Sequence, residues 1–79
     1  MPHIIIKMYP GRTEEKKRKM VDNIVETVGE ALELEDSTIS VAIEEVEKGK
    51  WADIVYKPDI IDKADSLYKK PGYVPPGLK

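Results

Sequence analysis

The stretch Met20-Val21-Asp22-Asn23-Ile24-Val25-Glu26-Thr27-Val28-Gly29-Glu30-Ala31-Leu32 decides the fold. Met20, Ile24, Val28 and Leu32 recur every four residues, and Val21, Val25 and Ala31 widen the apolar stripe. That spacing is the signature of a helix with one buried face. Lys16, Lys19, Asp22, Asn23, Glu26 and Glu30 fall on the opposite side. Upstream, Thr13 stands where an N-cap belongs, and Glu14 and Glu15 place negative charge in the first turn, where it complements the helix dipole. The pattern predicts an amphipathic helix of roughly five turns.

Strand-like segments flank it. His3-Ile4-Ile5-Ile6-Lys7-Met8-Tyr9 is short and β-branched, and Pro10-Gly11 ends it with turn chemistry. From Thr38 to Val46 the chain alternates, with Ile39, Val41 and Ile43 on one face and Ser40, Ala42 and Glu44 on the other. Strand, long helix and strand make a βαβ unit, which calls for two parallel strands and a right-handed crossover. Lys48-Gly49-Lys50 reads as a turn, and Trp51 begins a less regular region. Lys57-Pro58-Asp59 predicts a short C-terminal helix running to Lys70, with Pro58 at its first position. Pro71-Gly72 stops it, and the proline-rich tail from Tyr73 is irregular. The expected class is α/β (α+β), a single domain over residues 1–79.

Composition narrows the function. A chain of 79 residues buries only about 60% of its unfolded surface, and a core of that size rarely supplies more than ~3–5 kcal/mol. There is no cysteine and only one histidine, His3, which argues against disulfides and a zinc site. No metal or cofactor is expected. Oligomerisation is then the remaining common staple. The unpaired edges of a two-stranded sheet point the same way, because another chain must meet them. Thirteen basic and fifteen acidic residues give a net charge of −2, so no global field attracts nucleic acid. Apolar runs such as Ile4-Ile5-Ile6 are too short to span a bilayer. A soluble cytoplasmic homodimer, or an assembly of dimers, is expected.

Three features carry chemistry. Removal of Met1 would expose Pro2 as an N-terminal secondary amine in a rigid ring. An α-amino group titrates near pH ~7.7–8.0, and burial or a nearby cation lowers that value toward a base suited to neutral pH. The plainer reading is that proline at position 2 reflects N-terminal processing alone. Arg12, between Gly11 and Thr13 at the helix start, offers a bidentate fork for a carboxylate or phosphate; otherwise it is a solvated arginine beside a turn. Trp51, the single tryptophan, either walls an apolar pocket or packs a core or interface. His3 either tunes its proline neighbour or is a polar residue on an exposed strand face. Glu14 through Lys19 reads as a solvated helix face with Glu15 and Lys19 paired. Glu44, Glu45 and Glu47 are clustered acids whose adjacent strand positions lack the convergent geometry that two-carboxylate chemistry needs; calcium or magnesium binding there is the disfavoured reading. Tyr68 and Tyr73 line a pocket or pack an interface, and the sequence leaves this open.

Pro2, then Gly11-Arg12, then Lys48-Gly49-x-Trp51 after a second strand, resembles the 4-oxalocrotonate tautomerase family. The segments Ser37-Thr38-Ile39-Ser40-Val41-Ala42-Ile43 and Lys69-Lys70-Pro71-Gly72-Tyr73 resemble its short dimeric PptA-like branch. The resemblance spans nearly the whole chain. It implies a cofactor-independent keto–enol tautomerase with Pro2 as general base and acid. It also implies that Arg12 holds a substrate carboxylate and that Trp51 keeps the pocket apolar. The substrate class it implies is a small 2-oxo or 2-hydroxy-enoic acid. One departure stands out: the family's second arginine falls at Ser40, which favours a monocarboxylate such as phenylenolpyruvate over a dicarboxylate such as 2-hydroxymuconate.

Strand geometry adds a constraint. Seven residues at ~3.3 Å each span roughly 23 Å, so Pro2 and Arg12 lie at opposite ends of the first strand. Trp51 follows the parallel second strand and lies at the far end too. A site using all three must join Pro2 of one protomer to Arg12 and Trp51 of another. The alternatives are a dehalogenase or decarboxylase on the same scaffold, and a non-catalytic oligomeric interaction module. A raised Pro2 pKa or a covalent adduct marks the first; retained Met1 marks the second.

Overall fold

Three consecutive β-branched residues, Ile4 to Ile6, favour extended backbone, and they form the centre of strand β1 (His3–Met8). In the computed structural model, which describes residues 1–78, the order continues with helix α1 (Glu14–Leu32) and strand β2 (Ser40–Glu45). The two strands are parallel neighbours in one two-stranded sheet. Their register is set at the leading end, where the Ser40 amide donates to the Pro2 carbonyl at 3.2 Å. The expected βαβ arrangement of an α+β fold is present.

Thr13 caps α1 as its sequence position predicts. Its backbone is extended, and its hydroxyl accepts from the Lys16 amide at 3.2 Å. Glu14 pairs with Lys17 at 3.4 Å and Arg18 at 3.9 Å, in place of the expected Glu15–Lys19 pair. The far end closes differently from a glycine stop. Glu33 takes the left-handed conformation (φ 57°, ψ 51°), and the Leu34 amide reaches back to the Gly29 carbonyl at 2.9 Å. Gly29 suits that closure, since a Cβ there would sit 3.1 Å from the Leu34 carbonyl.

Val41 and Ile43 line a hollow with Glu14, Lys17, Arg18 and Val21 of α1, so their face of β2 is the helix side. Strand alternation puts Ser40, Ala42 and Glu44 on the other face. No residue of α1 is fully buried. Residues 1–44 form one compact unit and the chain from Glu45 onward another.

Two expectations need correction. The second strand was expected from Thr38. Instead Asp36–Thr38 is a 3₁₀ turn, with the Thr38 hydroxyl donating back to the Glu35 carbonyl at 2.8 Å; such local bonds compete with a ladder. The second correction is the C-terminal helix. The expected short helix is present, but as a π-helix over Ala52–Ile61 with Pro58 inside it, rather than opening at Pro58 and ending at Lys70. In an α-helix the proline ring would clash with the carbonyl four residues back. The wider winding, closed by the Asp62 amide on the Lys57 carbonyl at 2.9 Å, places bonds five residues apart. Beyond it Ala64–Ser66 is a single 3₁₀ turn. Val55 in this helix is buried at 5% exposure, and Pro75 of the tail is fully buried. Among the described residues no helix is long and apolar enough to cross a membrane.

Glu33 holds a conformation that costs an L-residue roughly 1–2 kcal/mol and glycine little. Glu33→Gly should raise the stability of α1 by about 0.5–1 kcal/mol after the added unfolded-chain entropy. Chemical denaturation checks this; a lower midpoint would show that the strain is absent.

Candidate active site

The leading end of the sheet gathers three polar or reactive residues. Pro2 is half-buried, directly before β1, and its carbonyl is held by the Ser40 amide. The Ser40 hydroxyl lies 2.6 Å from His3 Nδ1. This contact puts the His3 and Ser40 side chains on the same sheet face, away from α1. By alternation Ile5, half-exposed at 50%, shares that face. With Met1 attached, the Pro2 nitrogen is an amide. Met1 itself is 99% exposed.

Arg12 occupies the other end of β1. Gly11 supplies a positive φ of 120° in the loop, a conformation that favours glycine. It turns the chain from strand to helix cap and leaves Arg12 exposed beside Thr13. The six residues of β1 at ~3.3 Å each separate its ends by about 20 Å. Within one chain, the structure therefore brings Pro2 together with His3 and Ser40, and not with Arg12.

Trp51 belongs to the second compact unit, immediately before the π-helix. Its indole Nε1–H donates to the Tyr73 hydroxyl at 2.8 Å. Tyr73 is held in turn by Tyr56, whose hydroxyl donates to the Tyr73 carbonyl at 3.1 Å. The Tyr56 and Tyr73 rings lie 5.6 Å apart, tilted by 58°. Trp51 is thus fixed in orientation, with its one polar atom satisfied. Tyr68, by contrast, is fully exposed. Among the described residues no group of three or more His, Asp or Glu converges as a cation would need.

Sequence reasoning singled out Pro2, Arg12 and Trp51 and missed two partnerships. The His3–Ser40 contact was readable in principle, since both residues open parallel strands and share a face. The Trp51–Tyr73 bond spans 22 positions, and no periodicity announces it.

Comparison with known proteins places the chain in a family. A family model described as "Tautomerase enzyme" matches residues 2–53. A probable tautomerase of Xylella fastidiosa is 41% identical over 73 residues, covering 92% of this chain and 89% of that protein. Tautomerase PptA of Pectobacterium carotovorum is 36% identical over 74 residues, covering 92% and 97%. Among solved structures, YwhB, titled a homologue of 4-oxalocrotonate tautomerase, superposes with a TM-score of 0.58 at 40% identity. That match covers 60% of this chain and 77% of the other.

Tyr73→Phe removes the acceptor for the Trp51 indole and leaves the Tyr56 bond to the backbone intact. It should shift the emission of the single tryptophan and cost about 0.5–1.5 kcal/mol, while Tyr68→Phe changes neither. An unchanged spectrum in Tyr73→Phe would contradict the contact.

Proposed function

Since this chain belongs to the tautomerase family, and is by that membership an isomerase, we propose that it ketonises the enol of a 2-oxo acid with Pro2 as the proton carrier. The observation that carries the reading is the span of the family match. It begins at Pro2 and runs through Arg12 and Trp51, so one homologous segment holds all three residues.

The mechanism follows from the groups. Once Met1 is removed, Pro2 is a secondary amine with a lone pair. It takes the proton of the enol hydroxyl, and the resulting ammonium returns that proton to the adjacent carbon. The C=C pair becomes the new C–H bond and the C–O bond becomes a carbonyl. No electron leaves the substrate, so no redox partner is needed. Arg12 binds the carboxylate through its bidentate fork. Trp51, contributed by another protomer, lowers the local dielectric, which disfavours protonated Pro2 in the resting state. The length of β1 requires that Arg12 meeting a Pro2-bound substrate come from another protomer. The same reading makes the enzyme one tautomerase domain over residues 1–79. It acts in the cytoplasm as a homodimer or an assembly of dimers.

Ser40 shapes the substrate preference. A neutral hydroxyl cannot balance a second carboxylate as a guanidinium does, so phenylenolpyruvate suits the site better than 2-hydroxymuconate.

Pro2→Ala, with Met1 removal verified by intact mass, should lower kcat for phenylenolpyruvate by about 10²–10⁴-fold. Arg12→Ala should chiefly raise KM, by roughly tenfold or more. The wild type should show the higher kcat/KM with phenylenolpyruvate and lose activity as acid protonates Pro2. Full activity of Pro2→Ala would remove the proline from the mechanism, and faster turnover of 2-hydroxymuconate would overturn the preference.

A further inference from the structure

We propose that His3 and Ser40 act as one hydrogen-bonding pair that binds the 2-oxygen of the substrate and so determines that the enzyme takes 2-oxo acids and their enols rather than plain carboxylates. The inference rests on the reading of Pro2 as the proton carrier and adds to it a function for two further residues.

Three observations support it. First, the pair is anchored to the reacting residue. The Ser40 amide holds the Pro2 carbonyl at 3.2 Å, and His3 is joined to Pro2 by a peptide bond. Second, the pair is closed upon itself. The Nδ1 to Oγ distance of 2.6 Å is at the short end for a neutral hydrogen bond, so the imidazole is oriented rather than swinging. Third, both residues are exposed on the sheet face opposite α1, so a ligand can reach them.

The chemistry of the pair is one-sided. If the Ser40 hydroxyl donates to Nδ1, the neutral ring carries its proton on Nε2 and directs an N–H outward. If Nδ1–H donates to Ser40, the hydroxyl hydrogen is the one left to point outward. A protonated ring offers both. In every case the pair presents at least one donor, and a donor matches an enol, enolate or carbonyl oxygen. The oxygen next to the proton transferred by Pro2 is the 2-oxygen, and negative charge develops on it as the enol proton leaves. Donors placed where charge develops accelerate such a step. The substrate's carboxylate is left to Arg12 of another protomer, because this chain's own Arg12 lies about 20 Å away at the other end of β1. Two separate elements thus read two separate groups of one molecule.

The test compares ligands that differ by this oxygen. The enzyme with Met1 removed is assayed with phenylenolpyruvate, and 3-phenylpropanoate, which has the carboxylate and no 2-oxygen, is used as a competitive inhibitor. Ser40→Ala should lower kcat/KM for the enol by about tenfold and leave the inhibition constant of 3-phenylpropanoate within about twofold. Ser40→Thr, which keeps the hydroxyl and suits a strand, should restore most of the rate. His3→Gln should weaken the enol reaction in the same sense. Combining Ser40→Ala with His3→Ala should cost little more than either alone, as members of one unit do.

Equal loss for both ligands, no loss for either, or no recovery in Ser40→Thr would overturn the pair's role. Pro2→Ala run in parallel separates the two levels. If it is inactive while Ser40→Ala leaves the enol reaction and the inhibitor unchanged, only the pair's role falls. If Pro2→Ala retains full rate, the underlying reading falls and this inference with it.

Discussion

The hydrogen bond from the Ser40 amide to the Pro2 carbonyl fixes parallel register at the leading end of the sheet. Once the two strands begin together, the sheet has a front and a back. Pro2, His3 and Ser40 are at the front. The exit of β1, with Gly11 and Arg12, is at the back, about 20 Å away by the rise of six extended residues. No rotamer of a single arginine spans that gap. The constraint is purely geometric, and it makes one chain an incomplete enzyme under the proposed chemistry.

The packing of the chain agrees with that incompleteness. Helix α1 has a four-residue apolar repeat, yet none of its residues is fully buried. Met20, Ile24 and Val28, flanked by Asn23 and Thr27, line a shallow groove on the helix surface. Ile5 on the open sheet face is half-exposed. Apolar surface of this kind is costly to leave in water, and family membership carries the expectation of an oligomeric arrangement. The half-exposed apolar residues of the sheet and helix and the geometry of the proposed site thus make the same demand.

The βαβ core was legible because its signals are local and redundant. Thr13 capped where its side-chain chemistry predicts, and the stripe from Met20 to Leu32 set the helix period. Pro58 misled because proline usually marks a helix start, and the exception required a winding that periodicity does not encode. Glu33 gave no stop signal, since glycine is the usual residue in its conformation. The site was legible one residue at a time. Pro2, Arg12 and Trp51 each carry unusual chemistry and drew notice singly. The hydrogen-bond pairs His3–Ser40 and Trp51–Tyr73 are tertiary contacts between residues 37 and 22 positions apart; strand alternation could have suggested the first, while composition and spacing leave the second unspecified.

If the site is built from two chains, damage to its two halves must be separable. The most direct measurement mixes the Pro2→Ala and Arg12→Ala proteins, unfolds and refolds them together, and follows ketonisation of phenylenolpyruvate. Random re-pairing makes half the dimers mixed, and in each mixed dimer one site carries both defects and the other neither. With substrate well below KM, where the KM defect of Arg12→Ala also shows as lost rate, activity should therefore rise from a few per cent to roughly a quarter of the wild-type value. If the mixture stays as inactive as its parents while mixed dimers are shown to form, Pro2 and Arg12 act within one chain and the shared site is wrong.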